Sequence, residues 1–319
     1  MLAAQPGPER DDVVAAVDWG GTWIRVALAS ADGQLLRTAR RLRPDGIAAQ
    51  CALVRETLAD LAEALGRPPA ALGVGIAGIT RAGWVESASN IGILDPFPLA
   101  RTLQEEIQLT ATIVNDAQAA AAAEASALGP GTSILLTVGT GIGGAVVHDG
   151  GLVVGNGAAG DFGHMIVVMD GPVCGCGGRG CLEAVVSGRV LNRTAMQLAA
   201  TGASGWLASR AADQGKVHAG DLDLAARAGD PSAIEALEHA ASALLAGLRS
   251  VTAAADPRTI VLGGSLLAEG RLLTTLVHQA WRAGRPRWSA ARLRAAALGD
   301  EAGLRGAALL AANELRAQK

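Results

Sequence analysis

Two stretches of this chain share one pattern: a short apolar strand, a run of glycines, a second strand, then helices. The first covers Val13–Ala29, with Asp18–Thr22 (DWGGT) as the expected turn between the strands. The second runs from a strand over Ser133–Val138 through a glycine turn at Gly139–Gly144 into a strand over Ala145–His148. A pattern used twice predicts two related α/β halves. The first half continues with a strand over Leu35–Leu42, a helix over Gln50–Leu65 and a buried strand over Leu72–Ala77. A helix over Leu99–Gln108, a strand over Thr112–Val114 and an Ala-rich helix over Ala117–Leu128 follow. In the second half Asp230-Pro231 caps a long helix whose Ile234, Leu237, Ala241, Leu244, Leu248 and Val251 keep helical spacing. A strand over Thr259–Leu262 then ends in Gly263-Gly264, and a last helix covers Ala302–Leu315.

The chain has 319 residues, enough for two cores. Aromatics make up only 3%, so Leu, Ile, Val and Ala must fill those cores. A net charge of −3 does not supply the basic field that nucleic-acid binding needs, so no nucleic-acid partner is expected. Arg37, Arg40, Arg41 and Arg43 read as a solvated strand end. Met1–Asp12 lacks the apolar run of a secretion signal, and no stretch of about 18 apolar residues suggests a membrane span. The expected location is the cytoplasm.

Four constellations carry chemistry. In Asp18-Trp19-Gly20-Gly21-Thr22, glycines let backbone N–H groups face a phosphate, and Thr22 adds a hydroxyl. Asp18 would repel phosphate unless a magnesium ion or its waters lay between. An ordinary β-turn fits these residues as well. Gly139-Thr140-Gly141-Ile142-Gly143-Gly144 runs into a strand rather than a helix, which argues against a dinucleotide-binding motif. Two such hairpins suggest a nucleotide gripped from both sides at an interdomain cleft. Asn115-Asp116 ends a strand before a helix, where Asp116 can accept a proton from an attacking hydroxyl or simply cap the helix. His164, Cys174, Cys176 and Cys181 offer one imidazole and three thiolates, the donor set of a closed structural Zn²⁺ site. Gly175, Gly177, Gly178 and Gly180 let the chain turn tightly around an ion. Cys51 stands apart and reads as a core residue.

In this order, DWGGT (18–22), NDA (115–117), GTGIGG (139–144), GDFGH (160–164), CGCGGRGCLE (174–183) and LGGS (262–265) resemble the ROK family of repressors, open reading frames and kinases. The resemblance spans nearly the whole chain. It implies an actin-like (ribonuclease H-like) α/β fold of two domains that closes on ATP with Mg²⁺ and a sugar. The smaller domain is expected over 1–117 plus about 303–319 and the larger, with the zinc site, over 118–302. Asp116 then resembles the general base for the sugar's 6-hydroxyl. A carboxylate is a far weaker base than an alkoxide, so its work is mainly orientation, with proton transfer late in a loose transition state. Asn90, Asn115, Asp161, His164 and Glu183 resemble the sugar contacts. Gly20, Gly21, Thr22, Gly139, Thr140, Gly141, Gly143, Gly263 and Gly264 resemble the nucleotide contacts, with Asp18 beside the metal.

The resemblance also implies a homodimer. The 231–254 helix is a candidate interface, and equally ordinary core. Repressor members carry a DNA-binding extension before the first motif, and Asp18 leaves no room for one. A sugar-responsive regulator is thus disfavoured, as is a zinc-stabilised binding protein of another fold. Asp161 stands where glucose-specific members usually carry Glu, and the shorter side chain either costs a hydroxyl contact or makes room for a bulkier 2-substituent. Bacterial N-acetylmannosamine kinases are similar outside the shared motifs, at Phe97-Pro98-Leu99, Asn115–Glu124, Gly171–Arg189 and Glu301–Ala311. N-acetylmannosamine is therefore the expected substrate, followed by glucose and N-acetylglucosamine.

Overall fold

The computed structural model describes residues 12–318. The leading stretch read above as lacking a secretion signal lies, as far as Asp11, outside the described residues. The first sheet holds β1 (Val13–Trp19), β2 (Trp23–Ser30), β3 (Leu35–Leu42), β4 (Leu72–Ile76) and β7 (Ala111–Asn115), in the order β3-β2-β1-β4-β7. Strand β1 pairs antiparallel with β2 and parallel with β4, and β4 pairs parallel with β7. Between β4 and β7 lie the small hairpin β5 (Ile79–Arg81) and β6 (Trp84–Ser87), then α2 (Leu99–Ile107).

The second sheet repeats the plan. Its strands are β8 (Thr132–Val138), β9 (Ile142–His148), β10 (Gly151–Val153), β11 (Thr259–Gly263) and β12 (Arg292–Ala295), in the order β10-β9-β8-β11-β12. Again the hairpin arm lies on one side and the parallel strands on the other. The glycine turn is tighter than expected: Ile142, Gly143 and Gly144 already belong to β9, so only 139–141 remain as turn. Glycines carry no side-chain alternation, so the sequence hides that they pair. In the first hairpin Asp18 and Trp19 likewise belong to β1.

The chain divides into two compact units. Among the described residues one comprises 12–130, 146–159 and 298–318, the other Gly131–Ala145 and Gly160–Ala297. The first thus runs past 117 and includes all of α3 (Asp116–Ala125), because α3 packs on α10 (Ala302–Ala317). In the first unit β1 is buried on both faces. Val13, Ala15, Val17 and Trp19 join a core with α1 (Ile47–Leu65) and α2. Val14 and Ala16 join a second core with Leu304, Ala307, Ala308, Ala311 and Ala312 of α10. Small residues let α10 lie close: a Cβ on Gly73 would fall 1.9 Å from the Ala307 carbonyl oxygen, and one on Gly306 1.6 Å from that of Ala119.

In the second unit α4 (Leu182–Val185), α5 (Gly188–Ala200), α6 (Gly205–Gln214) and α7 (Ala219–Arg227) precede α8 (Pro231–Ala255). Asp230 caps α8 by accepting from Ala233 N–H at 3.0 Å. Leu237, Leu244, Leu248 and Val251 of α8 are buried within the chain itself, and α9 (Leu272–Gly284) packs on that helix. Among the described residues no helix is long and apolar enough to cross a membrane.

Candidate active site

The first unit carries Asp116 at the first position of α3. Asn115 is the cap: its Oδ1 accepts from Ala117 N–H at 2.8 Å, and Gln118 returns the bond to Asn115 N–H at 3.2 Å. The Asn115 amide also donates to the Gly78 carbonyl at 2.9 Å. Asn115, expected as a sugar contact, is thereby occupied at both ends of its amide. Asp116 is the first helical residue rather than the cap; it is exposed, and its Oδ1 shares Ala117 N–H with Asn115, also at 2.8 Å. Protein atoms crowd the back of its carboxyl. That desolvation, helped by the negative charge of Asp18, pushes its pKa up to about 6.

Asp18 is buried at the end of β1 and forms an ion pair with Arg25, whose other guanidinium nitrogen donates to the Asp300 carbonyl. Burial raises the Asp18 pKa despite the arginine. The carboxyl lies against the first turn of α10, where a Cβ on Gly303 would meet Asp18 Oδ2 at 2.9 Å. Gly20 N–H closes the turn on the Trp23 carbonyl at 3.0 Å, with Gly21 and the exposed Thr22 at its tip.

Asn90, exposed, packs over that turn, with its carbonyl oxygen 3.3 Å from where a Gly21 Cβ would be. Arg43 braces both: Nε donates to the Gly21 carbonyl at 2.6 Å and Nη1 to the Ile91 carbonyl at 3.3 Å. Arg43 is thus no part of a solvated strand end, whereas Arg37, Arg40 and Arg41 are exposed, with Arg40 over the Trp23 ring. Fully buried Gln50 accepts from Trp19 Nε1 at 2.8 Å and donates to the same Ile91 carbonyl at 3.3 Å.

In the second unit Gly139 N–H closes the turn on the Gly141 carbonyl at 2.9 Å. Exposed Thr140 and half-buried Gly141 stand at the tip. Gly143 lies within β9. Gly263 ends β11 in the core. Gly264 follows at φ +87°, where a Cβ would strike the Val138 carbonyl at 2.4 Å, so only glycine fits beside the end of β8. Glu183 accepts from Ile142 N–H at 2.8 Å and from Arg189 at 2.6 Å.

The metal donors come together. The ligand atoms of His164, Cys174, Cys176 and Cys181 all lie within 4.8 Å of one another. Cys174 Sγ is 3.6 Å from His164 Nδ1, and Cys176 Sγ is 3.7 Å from Cys181 Sγ. Tetrahedral zinc, with Zn–S about 2.3 Å and Zn–N about 2.0–2.1 Å, sets S–N near ~3.6 Å and S–S near ~3.8 Å. The donor set fits that ion. Cys174 N–H to Gly178 O (2.8 Å) and Gly180 N–H to Pro172 O (2.8 Å) fold the hairpin, and a Cβ on Gly180 would sit 1.7 Å from the Val168 carbonyl oxygen. Desolvation and the neighbouring sulfurs push Cys181 up to about 12, whereas the Gly178 N–H and the Cys174 and Cys181 sulfurs hold Cys176 below its ordinary value. His164 points Nδ1 at the sulfurs and Nε2 toward Asp161, 3.6 Å from Oδ2. Cys51 is a separate buried thiol.

The residues missed by sequence reasoning are Arg25, Arg43, Gln50 and Arg189. Arg43 and Gln50 brace segments 22 to 48 positions away, whereas Arg25 and Arg189 hold the carboxylates of Asp18 and Glu183, seven and six positions away. Sequence offers one weak signal, a polar Gln50 on the apolar face of α1.

The family model described as ROK matches residues 14–314. The chain belongs to the ROK family. An N-acetylmannosamine kinase from Citrobacter koseri is 38% identical over 93% of this chain and 97% of its own length. Among solved ROK structures, a hexokinase from Thermus thermophilus is 35% identical, with a TM-score of 0.83 over 96% of this chain and 99% of that one. A glucokinase from Streptomyces griseus in complex with glucose and AMPPNP is 32% identical, with a TM-score of 0.78 over 94% of this chain and 99% of that one. The two sheets of one repeated plan are the actin-like fold of these ROK kinases.

Proposed function

We propose that this ROK protein, a sugar kinase, transfers the γ-phosphoryl group of ATP to the 6-hydroxyl of N-acetyl-D-mannosamine. The observation that carries the reading is Asp116: Asn115 takes over the capping, which leaves an exposed carboxylate at a strand-to-helix junction in a chain with two glycine hairpins. Asp116 accepts the hydrogen bond of the attacking hydroxyl and takes its proton late. Gly21, Thr22, Thr140 and Gly141 supply donors for phosphate. Asp18, held by Arg25, is the carboxylate for magnesium or its waters. Magnesium neutralises charge on the phosphates.

Asp161, His164, Asn90 and Glu183 bind the sugar. A hydroxyl beside the Asp161–His164 pair can donate to the carboxylate and accept from Nε2–H. Zinc on Nδ1 would fix that tautomer. The shorter Asp161 side chain, open to solvent, favours a sugar with a 2-acetamido group, and the N-acetylmannosamine kinase relatives agree. Glucose is the second reading, supported by the glucokinase neighbour. A homodimer would use a surface other than the buried face of α8.

The test is product identification. Incubation with ATP, Mg²⁺ and N-acetylmannosamine is expected to give ADP and the 6-phosphate, located by phosphorus–proton NMR coupling, with the 6-deoxy sugar inert. Sugar binding without turnover would instead identify a regulator.

A further inference from the structure

Two residues near metal ligands in the sequence meet Ile142, the residue that directly follows the second glycine turn. Glu183, two residues after Cys181 in the first turn of α4, accepts from Ile142 N–H at 2.8 Å. Gly163, next to His164, approaches the Ile142 carbonyl so closely that a Cβ there would lie 2.4 Å from its oxygen. Ile142 is buried and directly follows Thr140-Gly141. The Glu183 carboxylate also lies against Gly141, where a Cβ would be 2.4 Å from Oε2. Arg189 Nη2 holds the other oxygen, Oε1, at 2.6 Å. The backbone of the same segment docks on the turn: Gly188 N–H donates to the Gly139 carbonyl at 2.8 Å and Arg189 N–H to the Thr140 carbonyl at 3.3 Å.

We infer that Glu183, oriented by Arg189, holds the 139–142 turn in its nucleotide-binding shape, so that one carboxylate serves both the sugar and the nucleotide. This rests on the sugar-kinase reading. A carboxylate offers about four lone-pair directions. Ile142 and Arg189 use one on each oxygen, which leaves the others for sugar hydroxyls. Arg189 is a positioning residue, acting through Glu183. A turn without this support populates its binding shape less, and nucleotide affinity falls by that fraction.

The experiment is calorimetric titration of the metal-loaded protein with AMPPNP and Mg²⁺ in the absence of sugar. Glu183→Ala is expected to weaken AMPPNP about tenfold, the usual worth of a hydrogen bond to a charged acceptor. Glu183→Gln keeps an oxygen for Ile142 N–H and is expected to restore AMPPNP affinity to within about twofold of wild type, while the KM for sugar stays raised. Arg189→Leu is expected to fall between the two. A sugar contact alone predicts unchanged AMPPNP binding in Glu183→Ala, which overturns the inference; so does an equal loss in Glu183→Gln, the variant that decides if the alanine protein melts early. If wild type binds AMPPNP and the variants behave as expected but no sugar is phosphorylated, the kinase reading falls and the turn-holding role stands. If sugar is phosphorylated and Glu183→Ala binds AMPPNP like wild type, the turn-holding role alone falls.

Discussion

Asp116 owes its exposed carboxylate to its neighbour. Asn115 closes α3, and the Gln118 side chain completes the capping box, so Asp116 is spared that task. Asp116→Asn is expected to lower kcat by about 10²- to 10⁴-fold, measured by coupled ADP release. The pH profile follows from the carboxyl's pKa of about 6: kcat is expected to fall as pH drops through that value, because a protonated Asp116 cannot take the proton of the attacking hydroxyl. For stability the sign runs the other way. A carboxyl with a raised pKa binds its proton more tightly in the folded chain, so its contribution is full below the ordinary value of 3.8 and is lost as pH rises through about 6. Asp116→Asn, uncharged at every pH, is therefore expected to melt no lower than wild type at pH 7.5, and a drop in Tm there would contradict the desolvated setting. Asn115→Ala is expected to cost about 1 kcal/mol in urea unfolding, the value of a lost cap. Asn115-Asp116 reads ambiguously because either residue can cap; the glutamine three positions after Asn115 is the sequence signal that favours Asn115.

Helices α3 and α10 show how small residues set a spacing. The Gly306 position leaves a Cβ only 1.6 Å from the Ala119 carbonyl oxygen, and backbone cannot rotate away as a side chain can. Gly306→Ala is expected to destabilise by about 3 kcal/mol or more, read as a lower denaturation midpoint; a neutral change would mean that the two helices slide apart freely. Their packing also explains why α3 groups with the first unit, a pairing between segments far apart in sequence that no local pattern announces. The two hairpins were legible because β-branched strands flank their glycines. Strands β5, β10 and β12 were not, being three or four residues long with no room for alternation. Helices α5, α6, α7 and α9 went unread, although Ser187, Ser204 and His218 cap the first three and offered a local signal. The cysteine hairpin was legible as a donor set, but its link to the second glycine turn was not, since Glu183 reaches Ile142 from 41 positions away.

Across the whole chain, the metal cluster joins stability to recognition. Chelation of the metal is expected to lower Tm by roughly 5 °C or more, because the 164–181 hairpin loses the ion that reconciles three thiolates. Sugar affinity is expected to fall further than ATP affinity, since in the proposed function His164 serves as both metal ligand and sugar contact, whereas the glycine turn meets the metal-bearing segment at Ile142. Equal losses in calorimetric titrations would mean that the metal merely holds the second unit together. The choice of sugar rests on Asp161 and on relatives whose names specify N-acetylmannosamine. The most direct test is kcat/KM for N-acetylmannosamine against glucose, with ATP and Mg²⁺ saturating. A ratio of about ten or more in favour of N-acetylmannosamine is predicted, a difference within reach of a few pocket contacts. Glucose turned over as efficiently or better would contradict the account.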